Sequence, residues 1–428
     1  MTLKKNILAN YLGAGTTALA PMLALPWYLA ALGPKQFGLI GFIVMLQAML
    51  GLLDAGMSQS LLREFTLRLN DTYIERRRAA TILLSFEKIY WLLALLALCV
   101  MLILADTLSR NWLKLDSLPL ETGRLAVYGA AAIFAAQFPG SLYRSALFGA
   151  QAQVTLNVIM VVSVLLKHVG GVVIVSIWPS LLAYLEWITA VTLLETLLRA
   201  VMAWRSFGVG RAEVTWSKKD ICQMLPLVLG MSGATLLGAL TIQMDKIILS
   251  KMVNVDIFGY YTVAWSVAIG VLQLIYPIMN AALPQIINLH NNPRALRLFS
   301  AKLTGIVVLI MIGVSAIFFI FGRWLLGVWL NNSEAVSFIY LPLSVLLAGT
   351  TMHAIWNVGY LIWLANGKAN KAIFSNALAL ILSVIFTPIL VSQYGLVGAA
   401  FGWFIMNVGG MLLSFGWLKC EEGACKVI

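Results

Sequence analysis

Long apolar runs separated by short polar stretches dominate this chain. The first run extends from Ile7 to Leu32, is interrupted by Gly33-Pro34-Lys35-Gln36, and gives way to a second run that opens on Phe37-Gly38-Leu39. The second half begins in the same way. An apolar stretch from Ile221 to Met244 closes on Gln243-Met244-Asp245-Lys246, crosses a polar link from Lys251 to Asp256, and resumes at Phe258-Gly259-Tyr260-Tyr261. The two Phe-Gly turns lie about half a chain length apart, which reads as a duplication. A helix crosses the hydrocarbon core of a bilayer, about 30 Å thick, with about 20 apolar residues. Runs of that length occur at 7–32, 39–62, 79–105, 122–145, 157–177, 181–203, 221–245, 259–283, 299–322, 338–363, 372–392 and 396–418. The pattern predicts an all-α polytopic membrane protein of twelve spans. The link Arg205 to Asp220 would divide it into two pseudo-symmetric six-helix lobes, residues 1–208 and 209–428. Spans 1 and 7 then cross in the same sense, so the repeat is parallel. Such repeats place substrate between the halves and work by rocking one against the other.

Composition agrees. Hydrophobic residues make up 61% of the chain and charged residues 11%, against about 25% charged in a soluble domain. The first run lacks a small-residue cleavage site, so it is expected to remain as a span. The net charge of +12 comes from 29 Lys and Arg. In a soluble protein this would suggest nucleic acid. Here most of them fall at the termini and in loops after even-numbered spans, Arg76, Arg77, Arg78, Lys218 and Lys219 among them. The positive-inside rule puts those loops and both termini in the cytoplasm. Trp27, Trp112, Trp178, Trp216 and Trp324 near span ends fit an interfacial belt. No loop is long enough for a catalytic domain, and no Walker-type glycine loop is present. Cys99, Cys222, Cys420 and Cys425 have no histidine nearby in metal-site spacing. Neither metal nor cofactor is expected, and a two-lobed transporter needs no second copy.

Several short motifs then point to a family. They are Leu32-Gly33 before Phe37-Gly38, Asp54-Ala55-Gly56, and Tyr143 through Gly149-Ala150-Gln151 to Asn157. Gln243-x-Asp245-Lys246 with Phe258-Gly259-x-Tyr261-x-x-Ala264 is the most specific. Leu326 to Leu330 and Tyr394-Gly395-x-x-Gly398-Ala399-Ala400 complete the set. The chain resembles, over essentially its whole length, the bacterial polysaccharide transporters, the O-antigen (Wzx-type) flippases of the multidrug/oligosaccharidyl-lipid/polysaccharide exporter superfamily. The resemblance implies a MATE-like fold and a flippase for undecaprenyl-pyrophosphate-linked oligosaccharide in the bacterial inner membrane. It also implies, as working partners in lipopolysaccharide assembly, a polysaccharide polymerase and a chain-length regulator. With no nucleotide site, energy would come from a cation gradient.

A charged side chain at a helix centre costs about 2.5–3.5 kcal/mol on insertion scales, so each is a candidate for function. Lys167, with His168 beside it, lies midway along span 5 and could meet the carrier pyrophosphate, or pair with an acidic residue on a neighbouring helix. Arg144 could meet phosphates at the entry side, or snorkel to headgroups. His353, Trp356, Asn357 and Tyr360 share one face of span 10. Aromatic and amide groups suit sugar rings, and a packing seam with a satisfied histidine is the plainer account. Asp54, Glu195 and Asp245 are candidates for ion coupling. The alternatives are a turn role for Asp54, a local pair of Glu195 with Arg199, and an interfacial pair for Asp245 with Lys246 at the outer end of span 7. Glu87 and Lys88 fall near the interface in span 3. A cation-coupled multidrug antiporter of the same superfamily is the competing function, since Asp54, Glu186 and Glu195 could serve a cationic drug. A membrane polymerase or ligase would need a long outer loop bearing Arg or His, which the chain lacks, and a scaffold subunit would need no ionisable groups at mid-membrane.

Overall fold

The computed structural model describes residues 2–54, 56–69, 72–116, 118–289, 292–366 and 368–415. The helices are α1 (Thr2–Leu50), α2 (Met57–Arg68), α3 (Tyr73–Asn111), α4 (Leu120–Gly149), α5 (Gln153–Leu165), α6 (Gly171–Ile177), α7 (Leu181–Phe207), α8 (Lys218–Met252), α9 (Val255–Val271), α10 (Tyr276–Asn288), α11 (Pro293–Leu330), α12 (Ser333–Ala365) and α13 (Ala369–Ser414). Side-chain caps start several of them. Thr72 accepts the Glu75 N–H at the head of α3, and Ser180 accepts the Ala183 N–H at the head of α7. Among the described residues, nine helical segments are long and apolar enough to cross a membrane. Two of these, Gly15–Asp54 and Asn370–Ser414, have 40 and 45 residues. At 1.5 Å per residue each is about 60 Å or more, enough to cross twice. Each also turns at a glycine of positive φ, Gly33 (φ 73°) in α1 and Gly395 (φ 55°) in α13.

The breaks differ from what hydropathy alone implies. The expected span 39–62 stops at Leu50; a 3-10 turn over Gly51–Asp54 and left-handed Gly56 (φ 78°) lead into α2. Span 157–177 is interrupted by a π-turn over Leu166–Gly170. Span 259–283 breaks at the 3-10 turn Leu272–Leu274, just before Pro277, where a proline ring would clash with the preceding helical turn. The helix expected to end near Lys246 instead continues to Met252. Cys420 and Cys425 lie outside the described residues.

The chain groups into two compact units. One comprises Met1–Leu236 with Asn254–Asp256, the other Leu237–Val253 with Ile257–Ile428. In the first, α4 packs against α3, α7, α2 and α1, around a core that includes Phe65, Leu83, Tyr90, Phe138, Tyr143 and Phe207. The segment after α7 docks back on α3: the Ser217 N–H donates to Ser85 Oγ (3.0 Å), and Arg77 Nη2 to the Glu213 carbonyl (3.0 Å). In the second unit, α12 packs against α13, α11 and α10, around Leu272, Ile275, Ile286, Val307, Met311 and Val358. The other helix faces carry exposed large apolar side chains such as Ile103, Leu309 and Ile320. Apolar surface on this scale belongs in lipid.

Candidate functional site

In the first unit the polar chemistry centres on the π-turn. A π-turn displaces carbonyls from the regular ladder, and aromatic donors collect them here. Trp187 Nε1 donates to the Leu166 carbonyl (2.9 Å) and the Tyr28 hydroxyl to that of His168 (3.2 Å). Lys167, within this turn, reaches α7, where its Nζ donates to Glu195 Oε2 at 2.6 Å. Arg199, one helical turn on, donates to the other oxygen, Glu195 Oε1. Side-chain exposures are 17% for Lys167, 8% for Glu195 and 13% for Arg199. One carboxylate thus faces two cations, and the group carries surplus positive charge. Arg199 Nε is buried without an acceptor among the described residues. Both open readings of the sequence therefore meet in one residue: Glu195 is the local partner of Arg199 and the neighbouring-helix partner of Lys167.

Arg144 is not bonded into this group. It is exposed, with its guanidinium over the Phe148 ring at 5.7 Å. His168 turns away from Lys167 toward Tyr28, with ring centroids 6.5 Å apart. Asp54 lies at the break after α1. It accepts from the Tyr90 hydroxyl (2.6 Å) and the Ser58 hydroxyl (2.7 Å), and from the Ser58 N–H in the first turn of α2 (3.3 Å). Its carboxylate therefore holds a helix start in place. Glu87 is buried against its neighbouring helices. It accepts from the Tyr143 hydroxyl (2.6 Å) and from Arg211 of the segment after α7 (2.8 Å).

The second unit contains a cavity of about 180 Å3 lined by both polar and apolar side chains. His353, Trp356, Asn357 and Tyr360, at i, i+3, i+4 and i+7, bring one face of α12 to its wall. Gly238, Thr241 and Ile242 of α8, Tyr276 of α10, and Asn376 and Met406 of α13 complete the lining. His353 Nδ1 lies 2.7 Å from Asn407 Oδ1, while Asn407 Nδ2 donates to the Trp403 carbonyl (2.8 Å). That second bond fixes Oδ1 as the acceptor, so Nδ1 carries the proton. The His353 ring is flanked by the Trp356 and Trp403 rings, with centroids at 5.7 and 5.4 Å. Trp356 Nε1 is buried with no acceptor among the described residues. Leaving such a donor unpaired costs about 1–3 kcal/mol.

Asp245 and Lys246 are not at the surface. They are 1% and 4% exposed, inside the second unit. Lys246 Nζ lies 3.0 Å from Asp245 Oδ1 and 3.2 Å from the centroid of the Trp265 ring, and donates to the Ile242 carbonyl (2.7 Å). The Tyr261 hydroxyl donates to Asp245 Oδ2 (2.6 Å). The family-type motif thus packs into one neutral, closed cluster. Tyr90, Tyr276, Asn376 and Asn407 escape sequence reasoning because an isolated hydroxyl or amide carries no charge or periodic signal.

Multiple membrane-length helices with charged groups and a cavity inside their bundles define a polytopic membrane protein. A family described as "Polysaccharide biosynthesis protein" matches residues 3–290, more than half of the chain, and the chain belongs to that family. A Shigella flexneri protein named "Putative O-antigen transporter" is 21% identical over 418 residues, 96% of this chain and 97% of that protein. Two solved structures show the same fold. One is a lipid II flippase MurJ in an inward closed conformation (13% identity, TM-score 0.76, covering 97% of this chain and 87% of that one). The other is an inward-facing multidrug resistance MATE family transporter of the MOP superfamily (16% identity, TM-score 0.73, covering 94% and 93%). The protein is thus a polysaccharide-biosynthesis family member whose described residues include nine helical segments of membrane-crossing length.

Proposed function

We propose that this protein flips an oligosaccharide linked to undecaprenyl pyrophosphate from the cytoplasmic to the periplasmic leaflet of the bacterial inner membrane. It would work by alternating access between two six-helix lobes, residues 1–208 and 209–428, across twelve spans. Both termini would be cytoplasmic, and polysaccharide polymerase and chain-length regulator would act beside it. The observation that carries the reading is the Lys167–Glu195–Arg199 group, whose surplus positive charge lies within apolar helices. Net charge there is costly unless a counter-charge visits it, and a pyrophosphate is that counter-charge. Competition between phosphate and Glu195 for Lys167 would release Glu195 Oε2 while Oε1 stays with Arg199, and a cation gradient would drive the cycle.

The multidrug-antiporter reading is less well supported, because the carboxylates of Asp54 and Glu195 are already held by donors of their own chain. The test is a gene deletion complemented with wild type and with Lys167→Ala at matched protein level. The expected result is loss of surface glycan and accumulation of lipid-linked glycan in the cytoplasmic leaflet, rescued by wild type and not by Lys167→Ala. Unchanged surface glycan with increased sensitivity to cationic drugs would replace this reading with the antiporter.

A further inference from the structure

We propose that the cavity of the second unit is a subsite for one neutral sugar ring, a place where the glycan is read separately from its phosphates. The inference rests on the flippase reading for the identity of the ligand, and on the cavity itself for its chemistry. At about 180 Å3 it is smaller than the 300–1,000 Å3 of sites that enclose drug-sized molecules, so it suits a single ring rather than an extended oligosaccharide. Among the described residues, no Lys, Arg, Asp or Glu lines it. A carboxylated sugar would enter without a counter-ion and lose its hydration, whereas a neutral one would not. The polar groups on its lining residues include the amides of Asn357 and Asn376 and the hydroxyls of Thr241, Tyr276 and Tyr360. Such groups both donate and accept, as sugar hydroxyls do.

Two further observations point to a ligand. Asn376 is buried, at 6% exposure, and its side chain bonds to none of the described residues. The buried Trp356 indole N–H lacks an acceptor at the same wall, and the indole presents an apolar surface of the kind that covers sugar C–H groups. His353 completes the set. With Nδ1–H committed to Asn407, the neutral ring keeps Nε2 as an acceptor.

The test uses the full-length protein in lipid nanodiscs free of sugar detergents. Saturation-transfer NMR is recorded with N-acetylglucosamine, galactose and glucuronate as probes. Both neutral sugars should receive saturation, and glucuronate at least about fivefold less, the effect of one unpaired polar group. Asn376→Leu should weaken the neutral signals by about fivefold. Tyr360→Phe, which removes one oxygen without changing the packing shape, should weaken them less and keeps the test open if the first variant fails to fold. Leu309→Phe, on the exposed face of α11, should leave them unchanged. Equal transfer to glucuronate, no transfer to either neutral sugar, or full transfer in both folded cavity variants would overturn the subsite. Failure of the flippase reading looks different: sugar binding persists while the deletion strain keeps its surface glycan.

Discussion

Glu195 holds two cations at once, so its removal and theirs should have unequal effects. Taking one partner from a buried ion pair costs about 3–5 kcal/mol, because the remaining charge is left uncompensated. Glu195→Gln strands both Lys167 and Arg199 and should lower the melting temperature and the membrane level of the protein sharply. Lys167→Met leaves Glu195 with Arg199 and should melt close to wild type while losing transport. If Glu195→Gln melts like wild type, the carboxylate does not hold these helices together. Lys167 is legible from sequence as a mid-span charge, but its partner lies on another helix at no regular spacing. The face His353, Trp356, Asn357 and Tyr360 is legible because one helix carries it; Asn376 and Tyr276, from other helices, are not. Asp245 and Lys246 mislead for a specific reason. Hydropathy ends a span at a charge, whereas this pair neutralises itself and lets α8 continue to Met252.

At the scale of the element, the glycines of the Tyr394-Gly395-x-x-Gly398 motif do two separate jobs. Gly395 has φ 55° and nothing within 4 Å of an added Cβ, so Gly395→Ala meets only the left-handed backbone penalty, about 1–2 kcal/mol. Gly398 has ordinary backbone, but a Cβ there would lie 2.0 Å from the Leu390 carbonyl oxygen. The first half repeats the arrangement: Gly33 turns the chain in open space, and a Cβ on Gly38 would lie 1.8 Å from the Val255 carbonyl oxygen. Gly398→Ala and Gly38→Ala should therefore cost more folded protein than Gly395→Ala and Gly33→Ala; equal yields on size-exclusion would contradict the packing account.

The segment after α7 gives a pH-dependent element. The Tyr73 hydroxyl (2.6 Å) and the Gly210 N–H (2.9 Å) hold the exposed Glu213 carboxyl below its ordinary range. A depressed carboxyl contributes stability above its unfolded value and loses it as pH falls through the folded one. Proteolytic nicking between Arg205 and Asp220 should rise below about pH 4.5, starting from the ordinary Glu value near 4.3. Tyr73→Phe should raise nicking at neutral pH and flatten its rise on acidification, and a pH profile unchanged by Tyr73→Phe would exclude the contact as its cause.

At the scale of the whole molecule, the feature read most directly from sequence is the solvent the outer faces require. Apolar runs specify lipid because backbone groups in hydrocarbon must bond within their own helix, and the run lengths give the membrane fold. They do not give the breaks at Gly56, the π-turn or Leu272–Leu274, since a 3-10 or π-turn with apolar side chains has the same hydropathy as α-helix. The same principle gives a test of orientation for each face. Leu309 is 75% exposed midway along α11, while Met311, two residues on, is fully buried in the second core. Leu309→Arg should meet the insertion penalty of about 2.5–3.5 kcal/mol for arginine at a helix centre, reduced where the long side chain snorkels. Leu309→Phe, still apolar, should cost nothing measurable. Met311→Ala should instead destabilise by about 2–5 kcal/mol through the cavity it leaves. Membrane insertion and thermal melting separate the two modes: the first variant should fail to insert, and the last should insert and melt early. Normal insertion of Leu309→Arg would mean that this face of α11 meets protein or water rather than lipid.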